Sequence, residues 1–158
     1  ERIRMLLNHG QKVRDKHELV GRNSRIDSIQ AGFLNVFLER FAAFQSLRKK
    51  YAVIYLQGLA GIENLELPSG ILEEDHNAHL FVIQTSLRDE LKYFLSEKGI
   101  GTAIHYPTIL PEMESFRSEG DFSRARKLSQ RGLSLPLNPW MKEVEIKVVV
   151  KAIQDFFA

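Results

Sequence analysis

The stretch that decides the fold is residues 27–59, DSIQAGFLNVFLERFAAFQSLRKKYAVIYLQGL. Apolar residues recur along it at steps of three or four, which is the period of one face of an α-helix: Ile29, Phe33, Phe37, Phe41, Phe44, Leu47, Tyr51 and Ile54. At 1.5 Å per residue such a helix is about 45–50 Å long. A small domain cannot cover a helix of that length, so we expect part of its apolar stripe to face another domain or subunit.

Signals at both ends define the bounds of this helix. Ser24 and Asp27 have the spacing of a capping box at the start, and Gly58 and Gly61 supply the stop. Upstream, the apolar residues at positions 3, 5, 6 and 7 are helix-like. The first residue is Glu1 and the chain opens in helix-like sequence, so we expect it to be cut from a longer protein.

Downstream of residue 60, short strands alternate with helices. Strands are predicted at 78–85, 101–106 and 133–137 from their apolar runs, and 108–122 is expected to be irregular. Helices are predicted from a Ser86–Asp89 capping box to Gly99, from Ser123 to Gln130, and from Asn138-Pro139 onward. These strands are too short and too few for a doubly wound parallel sheet.

Composition excludes several classes of protein. The 158 residues are 44% hydrophobic and 27% charged, as in ordinary globular domains, and the absence of cysteine removes disulfides and thiolate chemistry and favours the cytoplasm. No apolar run approaches the roughly 18–20 residues of a membrane span. The net charge is only +2, so the seven basic residues among the first 25 predict a solvated surface and not a nucleic-acid partner.

The sequence contains no self-contained catalytic apparatus. His76 and His79 are three apart, which on a strand places the two rings on opposite faces, and His105 lies on another element, so no metal site is predicted. A Gly-x-Ser-x-Gly turn and a glycine-rich phosphate loop are both absent.

Two local groups of residues could bind a ligand. Asn23 and Ser24 precede the long helix, where donors near the positive end of a helix dipole suit an anion, although such residues are more often a simple cap. His105, Tyr106 and Pro107 end a predicted strand, where the imidazole and the phenol could bind substrate or pack in the core.

Several ordered segments resemble the carboxyl-terminal part of the DegT/StrS-type nucleotide-sugar aminotransferases, and the resemblance covers nearly the whole chain. Residues 21–31, GRNSRIDSIQA, are similar to the family's G-x-N-x-R-x-D-x-x-Q-A, and they are followed by Arg88 to Ile100, by His105-Tyr106-Pro107 and by residues 133–137, LSLPL. One departure occurs after His-Tyr-Pro, where Ile109 and Pro111 replace the family's usual proline and histidine.

The resemblance implies an α/β (α+β) fold, the small carboxyl-terminal domain of the aspartate-aminotransferase-like fold of pyridoxal-phosphate enzymes. It is expected to have a long N-terminal helix and a small, mainly antiparallel sheet with helices packed on it. Residues 1–24 would continue from a large domain outside this sequence, and residues 25–158 would form the small domain.

The implied parent enzyme moves an amino group from glutamate to a keto sugar carried on a nucleotide, with pyridoxal phosphate as cofactor. By the resemblance, Asn23 binds the cofactor phosphate of the neighbouring subunit, His105 and Tyr106 line the sugar-nucleotide side, and Arg25 is a further substrate contact. Lys12, Lys16, Lys49 and Lys50 lack the sequence context of the lysine that binds the cofactor in the family. That lysine is therefore expected upstream of residue 1. The fragment alone would then be inactive and would hold no covalent cofactor.

Two alternatives remain open from the sequence. Relatives with histidine in place of that lysine dehydrate the sugar, and the chain could also be a non-catalytic dimerisation module. A homodimer through the long helix is expected in each case.

Overall fold

A computed structural model describes every residue from Glu1 to Ala158. The chain forms two compact units, Glu1–Ala42 and Ala43–Ala158, and the boundary between them falls inside the long helix.

The first unit begins with helix α1, Arg2–Leu7, and a short antiparallel hairpin of β1, Gln11–Val13, and β2, Lys16–His17. Helix α1 confirms the prediction that its apolar residues are helical. The hairpin was not predicted, because each of its strands has only two or three residues. Gly10 has a φ of +76°, and a Cβ there would collide with the carbonyl of Leu19. Glycine is therefore required where the two segments approach each other.

Helix α2 spans Ser28–Leu59 and confirms the long helix predicted from the apolar period. Its start differs from the predicted capping box. Asp27 caps it, since its Oδ1 accepts a hydrogen bond of 2.8 Å from the amide of Ile29, while the amide of Ser24 donates to the carbonyl of Leu7. At the far end Gly61 adopts a φ of +78°, as expected of a left-handed stop.

The second unit contains a two-stranded antiparallel sheet and three further helices. Strand β3, Phe81–Gln84, pairs with β4, Gly132–Leu135, so that Phe81 lies opposite Leu135. The other elements are α3, Arg88–Glu97; two short 3₁₀ turns, Leu110–Glu112 and Glu114–Phe116; α4, Ser123–Arg131; and α5, Glu143–Phe157. This mixed α/β arrangement with small antiparallel sheets confirms the predicted class.

One face of this sheet lies in the hydrophobic core of the second unit. Alternation along the strands places Leu133 and Leu135 on that face with Phe81 and Ile83. The helices supply most of the other large buried side chains: Tyr51, Tyr55 and Leu59 from α2, Leu91 and Leu95 from α3, and Ile146, Val149, Val150 and Ile153 from α5.

Several predicted elements differ from the structure. No strand covers 101–106, because only Ala103 pairs, in an isolated bridge to Ser134, and Tyr106 has a φ of +57° that is incompatible with extended backbone. The Ser86–Asp89 box does not form, since Thr85 Oγ1 accepts the amide of Leu87 instead.

The last helix also begins later than predicted. Asn138 Oδ1 accepts the amide of Trp140 and so closes a local turn, and α5 starts only after Lys142, whose amide donates to Glu145. Side-chain oxygens that bond the backbone two residues on favour turns over helix starts.

None of the helices combines the length and the hydropathy that crossing a bilayer requires.

Candidate functional site

Asn23 and Arg25 lie together on the first unit, and both are exposed. Asn23 faces Asn8 in an antiparallel bridge, in which the amide of His9 donates to Arg22 and the amide of Ser24 donates to Leu7. Arg25 Nε donates to Asn23 Oδ1 over 3.2 Å. This bond orients the amide group, so the Asn23 Nδ2 hydrogens and the outer guanidinium nitrogens of Arg25 remain available to an external acceptor.

The start of α2 does not contribute to this group of donors in the way that the sequence suggested. Asn23 lies five residues before Ser28, and the Asp27 carboxylate already occupies the first turn through its bond to Ile29. A carboxylate at this position accepts a hydrogen bond from a free amide and partly neutralises the positive end of the helix dipole. The donors that the structure shows beside Asn23 are therefore side-chain groups, and the first turn of α2 begins five residues further along the chain.

His105 and Tyr106 lie together on the second unit, with ring centroids 6.3 Å apart. The phenol of Tyr106 is 81% exposed, and its left-handed backbone costs on the order of 1–3 kcal/mol for a bulky residue. Strained residues of this kind concentrate at ligand sites. Pro107 follows in an exposed bend, and Ile109 is buried, so the position that departs from the family's pattern serves packing in this chain.

The structure adds Ser134 to the candidate site, a residue of the segment 133–137 for which the sequence predicted no role in binding. Ser134 lies in β4, is only 4% exposed, and places its Oγ 2.8 Å from His105 Nδ1. The alternation of β4 does put a small polar residue between two core leucines. The 29-residue separation from His105, however, gives no local signal that the two side chains meet.

The structure keeps the two groups of site residues on different compact units, Asn23 with Arg25 on the first and His105 with Tyr106 on the second. His76 and His79 lie outside the strands, since β3 begins at Phe81 and His76 Nδ1 accepts a hydrogen bond from the amide of Ala78. No group of three or more His, Asp or Glu side chains is arranged to hold a metal ion.

Three of the four lysines considered as cofactor ligands have partners within the chain. Lys49 Nζ donates to the carbonyls of Glu73 and Glu74, Lys50 pairs with Glu143 at 2.9 Å, and Lys12 lies 3.8 Å from Glu18. The expectation that the cofactor's lysine lies outside this sequence stays a prediction.

Comparison with known proteins places this fold and these residues in a family. The family model of the DegT/DnrJ/EryC1/StrS aminotransferases matches residues 1–154. The chain belongs to this aminotransferase family. The family is one of pyridoxal-phosphate-dependent aminotransferases, and its assignment confirms the resemblance seen in the sequence.

Several of the similar proteins are transaminases of nucleotide-linked sugars. The chain is 34% identical, over 99% of its length, to dTDP-3-amino-3,4,6-trideoxy-alpha-D-glucose transaminase of Streptomyces venezuelae. It is 31% identical, again over 99%, to dTDP-3-amino-3,6-dideoxy-alpha-D-galactopyranose transaminase of Aneurinibacillus thermoaerophilus. It covers 42% and 43% of those two proteins.

A solved structure confirms the aminotransferase fold. The S. venezuelae DesV structure, in complex with a ketimine intermediate, superposes with a TM-score of 0.92 at 34% identity, over 98% of this chain and 43% of that one. The chain therefore spans about two fifths of the length of the relatives it matches.

The residues present fit a phosphorylated cofactor. A phosphate requires hydrogen-bond donors, and the Asn23 amide, which Arg25 orients, presents its Nδ2 hydrogens on an accessible surface. Pyridoxal phosphate, when bound, supplies the electron sink for amino-group chemistry. This chain's share would be to hold the phosphate and the substrate in place.

Proposed function

We propose that this chain is the carboxyl-terminal part of a pyridoxal-phosphate enzyme that transfers an amino group from glutamate to a keto sugar carried on a nucleotide. The observation that carries the proposal is the alignment of 99% of the chain with a dTDP-sugar transaminase at 34% identity. In this proposal, residues 1–24 continue from a large domain and residues 25–158 form the small domain.

The roles that we propose for the site residues are those that the resemblance to the family implies. Asn23 donates to the phosphate of the cofactor held by the neighbouring subunit, and the Arg25 guanidinium adds charge for the substrate. His105 and Tyr106 contact the sugar nucleotide. What supports these roles is the exposure of all four side chains and the hydrogen bond that orients Asn23.

A homodimer through α2 belongs to the same proposal. The part of α2 in the first unit exposes seven large apolar side chains by half or more: Ile29, Phe33, Leu34, Val36, Phe37, Leu38 and Phe41. A face of this size is typical of an association surface. The same exposed face supports the alternative in which the chain is a non-catalytic dimerisation module.

We place the protein in the cytoplasm. The proposal is tested with the full polypeptide that contains this chain, produced in that compartment. The purified protein is mixed with pyridoxal phosphate, glutamate and a dTDP-linked keto sugar, and 2-oxoglutarate is measured. We expect production that requires the sugar nucleotide. Deoxygenated sugar without 2-oxoglutarate would favour the dehydratase, and a protein that dimerises and does neither would favour the module.

A further inference from the structure

We propose that Ser134 is a positioning residue that holds the His105 ring in one tautomer, with Nδ1 accepting from the serine and Nε2–H presented to an oxygen of the substrate. The inference deepens the proposed function and rests on it for the identity of that substrate, a nucleotide-linked sugar.

The backbone fixes Ser134 beneath His105. The amide of Ser134 donates to the carbonyl of Ala103 over 2.8 Å, and the amide of Ala103 donates back over 3.1 Å. Residues opposite each other in an antiparallel bridge share a face, so Ala103 and Ser134 lie on the same side. The core leucines of β4 occupy the other face, and the contact between Ser134 Oγ and His105 Nδ1 places the imidazole on the side of Ser134.

Burial decides which atom carries the proton. Ser134 is 4% exposed, and His105 Nδ1, at 2.8 Å, is the partner of its Oγ. If Nδ1 carried the hydrogen, the hydroxyl hydrogen of Ser134 would be buried without an acceptor, which is costly. The serine therefore donates, Nδ1 accepts, and the hydrogen of the neutral ring lies on Nε2.

The exposed side of the ring then has a defined chemistry. His105 is exposed, and Nε2 has no partner in the chain. A fixed Nε2–H is a hydrogen-bond donor, and it suits the phosphoryl and hydroxyl oxygens of a sugar nucleotide. Without Ser134 the ring can rotate and change tautomer, so part of the binding free energy would be used to order it.

The first measurement is the tautomer of His105. The full polypeptide, loaded with pyridoxal phosphate and labelled with ¹⁵N-histidine, is studied by NMR at a pH at which the ring is neutral, and the His105 signals are assigned through His105→Gln. We expect a protonated Nε2 and a hydrogen-bonded Nδ1 in the unsubstituted protein. A protonated Nδ1 would overturn the inference without any Ser134 variant having to fold.

The second measurement compares Ser134→Ala, Ser134→Thr and Ser129→Ala. Ser129 is a matched control, because it is also buried, at 9%, and its hydroxyl donates to the carbonyl of Arg126, away from His105. We expect Ser134→Ala to move the Nδ1 signal of His105 and to raise the KM for the sugar nucleotide about three- to tenfold, with a smaller change in kcat. Ser134→Thr should restore both, and Ser129→Ala should change neither.

The outcomes separate this inference from the proposed function. Nitrogen signals of His105 that are the same in Ser134→Ala would overturn the role of Ser134, whatever the enzyme's activity. If those signals move while dTDP-glucose binds equally well to the unsubstituted protein, to Ser134→Ala and to His105→Gln, the positioning is supported and the assignment of His105 to the substrate fails.

Discussion

Gly58 of α2 lies directly against Val150 of α5, and a Cβ added at Gly58 would lie 2.5 Å from Val150 Cγ1. The carbonyl of Gly58 also accepts a hydrogen bond of 2.8 Å from Gln154 Nε2. Both contacts require the two helices to approach closely. Glycine inside a helix is otherwise unfavourable, so its presence here is explained by this contact.

Gly58→Ala is expected to destabilise the protein by about 1–3 kcal/mol, because the methyl group overpacks the contact with Val150. Gly32→Ala, in the same helix, has nothing within 4 Å and should stabilise by about 0.5–1 kcal/mol. Urea unfolding midpoints of the two variants measure the difference. Equal shifts of the same sign would contradict the close approach.

Glu143 is expected to make stability depend on pH and salt at the start of α5. Its carboxylate lies 2.7 Å from Lys147 and 2.9 Å from Lys50, and these two cations lower its pKa to about 2. Because the pKa of Glu143 is lowered in the folded state, its ionised carboxylate stabilises the fold at pH values above its ordinary pKa of 4.5. That stabilisation is lost as the pH falls towards 2. Glu143→Gln should flatten the acid dependence of the urea midpoint at low salt.

The control for this prediction is Glu97→Gln, which removes an exposed carboxylate of α3 that has no ion pair. It should leave the acid dependence close to that of the parent. Because the ion pairs of Glu143 are solvent-exposed, the difference between the two variants should shrink at high salt.

Tyr55→Phe is expected to cost about 1–3 kcal/mol, because the buried phenol donates to the carbonyl of Pro136 over 2.8 Å and the variant leaves that oxygen without its partner. Burial also raises the pKa of Tyr55 above its ordinary 10.0. Above pH 10 only the unfolded chain ionises this group, so stability should fall, and Tyr55→Phe should weaken that fall. Tyr93→Phe, at an exposed site, serves as the comparison in denaturation at pH 7 and above pH 10.

Phe37→Glu is expected to weaken self-association at least tenfold, since it places a charge in the exposed apolar face of α2 that we propose as the dimer surface. Leu128→Glu introduces the same charge at an exposed leucine of α4 and should leave association unchanged. Sedimentation across a range of concentrations measures both. A parent protein that is monomeric at the highest concentration would reject this surface.

Asn23→Ala in the full polypeptide is expected to release pyridoxal phosphate more readily, by about three- to tenfold in affinity, because one donor to the phosphate is lost. Gln130→Ala removes an exposed amide of α4 and is the matched control. Absorbance after dialysis reports the cofactor retained. Equal retention by the two variants would remove Asn23 from the cofactor site.

The segment around Asn23 was predicted in part from its local sequence. Residues 21–31 predicted both an anion site and membership of the aminotransferase family, and the family is confirmed. The pattern also predicted a capping box of Ser24 and Asp27, which is wrong, because Asp27 itself accepts a free amide of the first turn and α2 begins only at Ser28.

The sequence alone determined what depends on period and on nearest neighbours. Helix α2 follows from apolar residues every three or four positions, and Gly61 and Gly99 adopt left-handed backbone, as their places after helices predicted. Tertiary structure alone decided which segments pair. Ala103 meets Ser134, and Ser134 meets His105, across about thirty residues of chain. Such pairs depend on burial and on hydrogen bonds between distant segments, which no local pattern of residues encodes.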